Sequence, residues 1–151
     1  MNIRENKSTD FKDIKAIIDE FSKEELSLAA ENIPDDELSD FKAAYSNSGD
    51  IVLVAEEDNQ VVGFIALKKE TKERALLKRL LVHPGYRKRN FGTNLLHRAT
   101  DAAKIKGYKT LLFHATEKLK PAVNLMLKNG FKQVKINEID GCQIIELTKD
   151  I

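Results

Sequence analysis

The chain has 151 residues, 42% hydrophobic, 32% charged and 7% aromatic, a length and composition that suit one globular domain and exclude a wholly disordered or collagen-like chain. Cys142 is the only cysteine and no apolar run approaches the roughly 20 residues that span a bilayer, which excludes an internal disulfide and a membrane-spanning helix. The net charge of +1 conceals a division: residues 1–60 carry 16 acidic and 6 basic side chains (−10), residues 61–151 carry 8 and 19 (+11), so opposite-signed ligands could be held near the two parts.

Met1–Glu5 reads as a short strand and lacks the apolar stretch of a secretory signal, so a soluble, cytoplasmic chain is expected, with a single domain over residues 1–151. Ser8-Thr9-Asp10 supplies helix N-cap chemistry, because short polar side chains accept from the free amides of a first turn. Phe11, Ile14, Ile17, Ile18 and Phe21 follow at spacings of three and four, one apolar stripe. A second helix opens at Pro34-Asp35-Asp36, carries Leu38, Phe41 and Tyr45 inward, and ends at Asn47-Ser48-Gly49-Asp50.

The pattern then turns to strands. Ile51–Ala55 and Val61–Leu67 are β-branched runs, and Asp58-Asn59 between them tolerates the positive φ of a tight hairpin turn. Arg74–Val82 is the third strand of this meander, ended by Pro84-Gly85. Phe91, Leu95, Ala99, Ala102 and Ala103 restore a helical period to about Lys106, and Gly107 stands in the C′ position. Thr110–His114 reads as a buried strand, Pro121 opens a helix running to Asn129-Gly130, and Phe131–Ile136 with Cys142–Thr148 forms a closing hairpin around Asp140-Gly141. The order β-α-α-β-β-β-α-β-α-β-β describes a mixed α/β domain (α+β type) with a mostly antiparallel sheet of about seven strands and four helices.

Chemistry concentrates where Leu80-Leu81-Val82-His83-Pro84-Gly85 runs through the basic turn Tyr86-Arg87-Lys88-Arg89-Asn90 into a helix starting Phe91-Gly92-Thr93. The first amides of a helix have no partner within it and carry partial positive charge, so they suit phosphate oxygens. Gly92 removes the side chain that would obstruct approach, and Arg87, Lys88 and Arg89 add full positive charges. The Walker pattern fails because Asn90 stands where it requires Gly, and G-x-G-x-x-G is absent. Neither a P-loop nucleotidase nor a Rossmann dehydrogenase is supported.

This segment resembles motif A of the GNAT superfamily of acyl-CoA N-acyltransferases, [QR]-x-x-G-x-[GA], read here as Arg87-Lys88-Arg89-Asn90-Phe91-Gly92 after Leu81-Val82-His83-Pro84 and before Thr93-Asn94-Leu95-Leu96. Downstream, Ala122 to Phe131 is similar to the family's Ala-x-x-x-Tyr-x-x-x-Gly-Phe helix, and the element order matches over nearly the whole chain. The resemblance implies a GNAT-like fold, acetyl-CoA as cosubstrate, and acetyl transfer to a primary amine of a small molecule or protein by direct attack in a ternary complex. It implies that Arg87 and the amides of Lys88, Arg89, Asn90, Phe91, Gly92 and Thr93 hold the CoA pyrophosphate. The backbone of Leu80, Leu81 and Val82, in a strand that splays from its neighbour, would hold the pantetheine and acetyl group. Homodimers are frequent in such a family.

Two positions depart from the family pattern. Asn90 replaces the first motif Gly, and Asn is the non-Gly residue that most readily adopts left-handed geometry. Met126 replaces the Tyr that protonates the departing thiolate, and a thioether donates no proton. Met126 therefore also motivates a non-catalytic acyl-CoA-binding or sensing module. An amide near Leu81 or Val82 is a candidate oxyanion donor, and His114 and Glu73 are candidate bases. Tyr45 and Tyr86 are further proton donors by type, although Tyr45 fits a helix core stripe and Tyr86 a loop anchor. Glu24, Glu25, Glu31, Asp35, Asp36 and Glu37 fall where the family walls its acceptor site, which suggests a cationic acceptor. His83, His97, His114 and Cys142 show no metal-ligand spacing, so no metal is expected, and the basic portion lacks the interleaved aromatics of a nucleic-acid platform.

Overall fold

The computed structural model describes residues 2–24, 45, 48–87, 89–116, 120–139 and 141–151. They form β1 (Asn2–Glu5), α1 (Phe11–Glu24), β2 (Ile51–Glu57), β3 (Gln60–Lys69), β4 (Arg74–Val82), α2 (Phe91–Ile105), β5 (Thr110–Thr116), α3 (Lys120–Lys128), β6 (Lys132–Ile139) and β7 (Cys142–Asp150). The helix expected after Pro34 lies outside the described residues. One seven-stranded sheet has the order β1-β2-β3-β4-β5-β7-β6, and only β4 and β5 run parallel. The fold is the mixed α/β, mostly antiparallel arrangement that the sequence predicts. No helix among the described residues is long and apolar enough to cross a membrane.

Helices cover both faces of the sheet. Ile14, Ile17 and Ile18 of α1 pack on Val52, Val54, Phe64, Ala66 and Leu81. Phe91, Leu95, Leu96, Ala99 and Ala103 of α2 pack on the other face, with Leu53, Ile65, Leu77, Phe113 and Leu147. This double cover explains why β2 and β3 read as continuous apolar runs rather than alternating ones. Each buried Ile of α1 contributes roughly 1.5–3 kcal/mol, several times the roughly 0.2–0.5 kcal/mol of an i,i+4 surface pair, so packing holds the helix in place.

Local turn chemistry mostly follows the sequence. Asp58 and Asn59 both have positive φ (53° and 62°), the backbone of a tight hairpin turn. Gly107 has φ 94°, and Tyr108 N–H donates to the Ala103 carbonyl at 3.0 Å, closing α2. Ser8-Thr9-Asp10 departs from expectation: it forms its own 3-10 turn before α1. The Asp10 carboxylate accepts from Lys7 N–H at 2.6 Å and from the Arg4 guanidinium at 2.8 and 3.0 Å, which turns it back toward β1.

The irregularity that shapes the site lies in β4. Ala66 pairs with Arg79 and Leu67 with Leu77, so Lys78 is an extra residue, a β-bulge. Bulges bend the strand and increase its twist. Directly beforehand, β4 makes its last pair with β5, Leu77 with Phe113, while β5 continues to Thr116 against β7. Beyond the bulge the two parallel strands part.

Candidate active site

The split leaves an unpaired backbone edge on β4. His83 N–H donates to the Val62 carbonyl at 2.7 Å, so His83 faces β3. Peptide groups alternate along a strand, which turns Leu81 to β3 as well and turns Leu80 and Val82 to the side that β5 has left. The Val82 carbonyl on that side accepts from Arg87 Nε at 3.1 Å, tying the basic turn to the strand end.

The turn itself carries α2 into position. Pro84–Tyr86 makes a 3-10 turn in which Gly85 N–H donates to His83 Nδ1 at 3.1 Å. Asn90 then takes φ 64°, ψ 15°, the left-handed geometry that the sequence expects Asn to supply, and its carbonyl accepts from Asn94 N–H at 3.0 Å. The Asn90 side chain does not cap the helix, so the first-turn amides of Phe91, Gly92 and Thr93 are not satisfied by it. A Cβ added at Gly92 would meet only Leu125 Cδ2, at an ordinary 3.6 Å, so protein packing does not demand glycine there. Arg89 lies over the rings of Tyr86 and Phe91 at 5.4 and 5.5 Å and within 3.9 Å of Glu57. Phe91 is buried and anchors the turn, while Arg87 and Arg89 are exposed; Lys88 lies outside the described residues.

A titratable pair stands on the sheet face that α1 shares. His114 lies one residue past the last β4–β5 pair, and its Nε2 is 3.0 Å from Glu146 Oε1 of β7. The two side chains are 44% and 27% exposed. Thr116 is next on the same face of β5; it is buried, and its hydroxyl has no hydrogen-bond partner among the described residues. Glu146 is the residue that sequence reasoning does not single out, because only the β5–β7 register places it opposite His114.

Other candidates fall elsewhere. Glu73 precedes β4 at the end where β4 and β5 remain paired, and it is exposed beside Lys109 at 3.5 Å. Tyr86 is a loop anchor, edge-on to His83 and Phe91. Tyr45 packs against the α1 cluster beneath Lys68. Met126 is fully buried in the α2-side core, and Gly130 (φ 91°) ends its helix with Phe131 N–H donating to the Met126 carbonyl at 3.0 Å. The acidic residues 25–37 expected to meet an acceptor lie outside the described residues.

Together these parts suit an extended ligand with an anionic end. First-turn amides and arginines attract phosphate oxygens, the β4 edge beyond Leu77 can pair with amides of a linear arm, and His114 follows the last β4–β5 pair.

Residues 14–131 match the acetyltransferase (GNAT) family. The chain is 28% identical over 138 residues to the uncharacterized N-acetyltransferase YhfO of Bacillus subtilis (strain 168), covering 88% of this chain and 91% of that one. Its fold is similar to the ribosomal-protein-alanine N-acetyltransferase of Brucella melitensis, with TM-score 0.85, 19% identity and 100% of both chains covered. It is also similar to yncA of Salmonella typhimurium, solved with its cofactor acetyl-CoA, with TM-score 0.81, 18% identity and coverage of 99% of this chain and 93% of that chain.

Proposed function

The chain belongs to the GNAT family of acetyltransferases, and on that premise we propose that it transfers an acetyl group from acetyl-CoA to a primary amine by direct attack in a ternary complex. The observation that carries this reading is the parting of β4 from β5 after Leu77 and Phe113, with the left-handed Asn90 turn following the end of β4. In this reading the amides of residues 88–93, with Arg87, hold the pyrophosphate, and the Leu80–Val82 backbone holds the pantetheine. Alternation favours the Leu80 and Val82 amides over Leu81 as donors to the acyl oxygen.

Acetyl-CoA supplies the acetyl group as a thioester, so a carbon–nitrogen bond replaces a carbon–sulfur bond, one proton leaves the amine and one reaches the sulfur. His114 accepts the first proton. Water or another group delivers the second, because Met126 at the family's acid position is a buried thioether with no proton to give. The −10 charge of residues 1–60 supports a cationic acceptor, such as a polyamine or a lysine side chain. Met126 also motivates the alternative of an acyl-CoA-binding module without turnover.

Calorimetric titration with acetyl-CoA, with dephospho-CoA and ATP as controls, tests the reading. Saturable binding is expected, together with amine-dependent thiol release across a panel of primary amines. Gly92→Ala should weaken binding about tenfold at unchanged melting temperature, since a methyl there meets no protein atom closely but faces the bound phosphates. Binding without amine-dependent release would favour the non-catalytic module, and no binding by the wild-type chain would overturn both.

A further inference from the structure

We propose that Glu146 is a positioning residue for this reaction, fixing the His114 tautomer and stabilising the imidazolium that forms when His114 takes the amine proton. The inference rests on the acyl-transfer reading above. His114 and Glu146 are direct cross-strand partners in the β5–β7 ladder, so the backbone itself sets their approach. At 3.0 Å the bond between Nε2 and Oε1 has one polarity at neutral pH: an ionised carboxylate only accepts, so Nε2 carries the hydrogen. The neutral ring then has its lone pair on Nδ1, which is the nitrogen left to act as base.

Stability does not account for the pair, because both side chains are partly exposed and exposed ion pairs contribute little. The surroundings point instead to a ligand-facing surface. His114 is past the last β4–β5 pair, and the next residue on its face, Thr116, buries a hydroxyl with no partner among the described residues. A bound molecule could supply that partner. Charged groups of the described residues on this sheet face include Glu146 of β7, which is bonded to the ring, Lys135, which pairs with Glu146 from β6, and Arg79 of β4, two residues before the α1-facing Leu81. The proton passes from the amine nitrogen to Nδ1 and then to water, while Glu146 stays ionised throughout.

The test is steady-state kinetics across pH on wild type, Glu146→Gln, Glu146→Asp and His114→Gln. In Glu146→Gln, kcat should fall about tenfold with an unchanged KM for acetyl-CoA, and the acidic limb of the pH–rate profile should move to lower pH. Glu146→Asp should restore the limb and part of kcat, and Glu146→Gln combined with His114→Gln should be no slower than His114→Gln alone. An unmoved acidic limb in Glu146→Gln, or an unchanged kcat, would overturn the proposal. Full activity in His114→Gln would also overturn it while leaving acyl transfer standing, whereas a wild-type chain that binds no acetyl-CoA would overturn the underlying reading.

Discussion

Asn90 occupies φ 64° where an L-residue ordinarily loses about 1–2 kcal/mol, and its backbone conformation aims the first amides of α2. Asparagine reduces that strain and glycine removes it, so the turn depends on which residue types tolerate the geometry. Asn90→Gly should leave the melting temperature close to wild type and retain acetyl-CoA binding. Asn90→Ala should lose about 1 kcal/mol and weaken binding, since the methyl-bearing backbone resists the left-handed state. Thermal melting and calorimetry on both variants check this, and an Ala variant equal to Gly in both would show that the turn does not set the site. The surrounding contacts hold the same loop from outside: Arg87 is bonded to Val82, and Arg89 lies over Tyr86 and Phe91.

The packing of α3 gives the departure at Met126 a second meaning. The side chain is fully buried beside the α2 core, so the residue that fails to supply an acid also fills space. Met126→Tyr should cost about 1–3 kcal/mol through overpacking, and more if its hydroxyl finds no partner. For a chain of this size each kcal/mol lowers the melting temperature by about 2–4 °C. A large gain in turnover at unchanged melting temperature would instead show that an acid fits there. Much of this architecture is legible in the residues: the α1 stripe, the Asp58-Asn59 turn, Gly107 and the strand–turn–helix at Asn90 are local signals, readable from spacing and φ preference. The bulge at Lys78 is not, because Leu77-Lys78-Arg79 carries no Gly or Pro and the extra residue exists only relative to β3. The His114–Glu146 pair is hidden for the same reason. β7 follows β6 in the chain yet inserts between β5 and β6, so neighbours in space are about thirty residues apart in sequence.

Across the molecule, two carboxylate pairs in different settings should show their effects in different measurements. At the β1 edge, Arg4 bonds both oxygens of Asp10 and reaches Glu56 at 3.1 Å, joining β1, the 3-10 turn and β2. The Arg4 guanidinium, helped by the Lys7 amide and opposed by burial, holds the Asp10 carboxyl below the usual carboxylate range. A depressed folded pKa means that this stabilisation is complete above the unfolded value, near 3.9, and is lost as pH falls through the folded value. Asp10→Asn should therefore cost roughly 1.5–3 kcal/mol at pH 7. The gap from wild type should begin to narrow below about pH 4 and close as pH falls through the lower folded value, where the wild-type carboxyl also protonates. Chemical denaturation of both chains from pH 7 to pH 3 measures that gap, and a constant difference would show that packing rather than charge holds the turn. Asp10 is buried, so its pair acts on folding, whereas the half-exposed His114–Glu146 pair follows the split and, in the proposed mechanism, acts on proton transfer. Asp10→Asn should leave the pH–rate profile of the remaining folded enzyme in place, and Glu146→Gln should move that profile without changing acid stability.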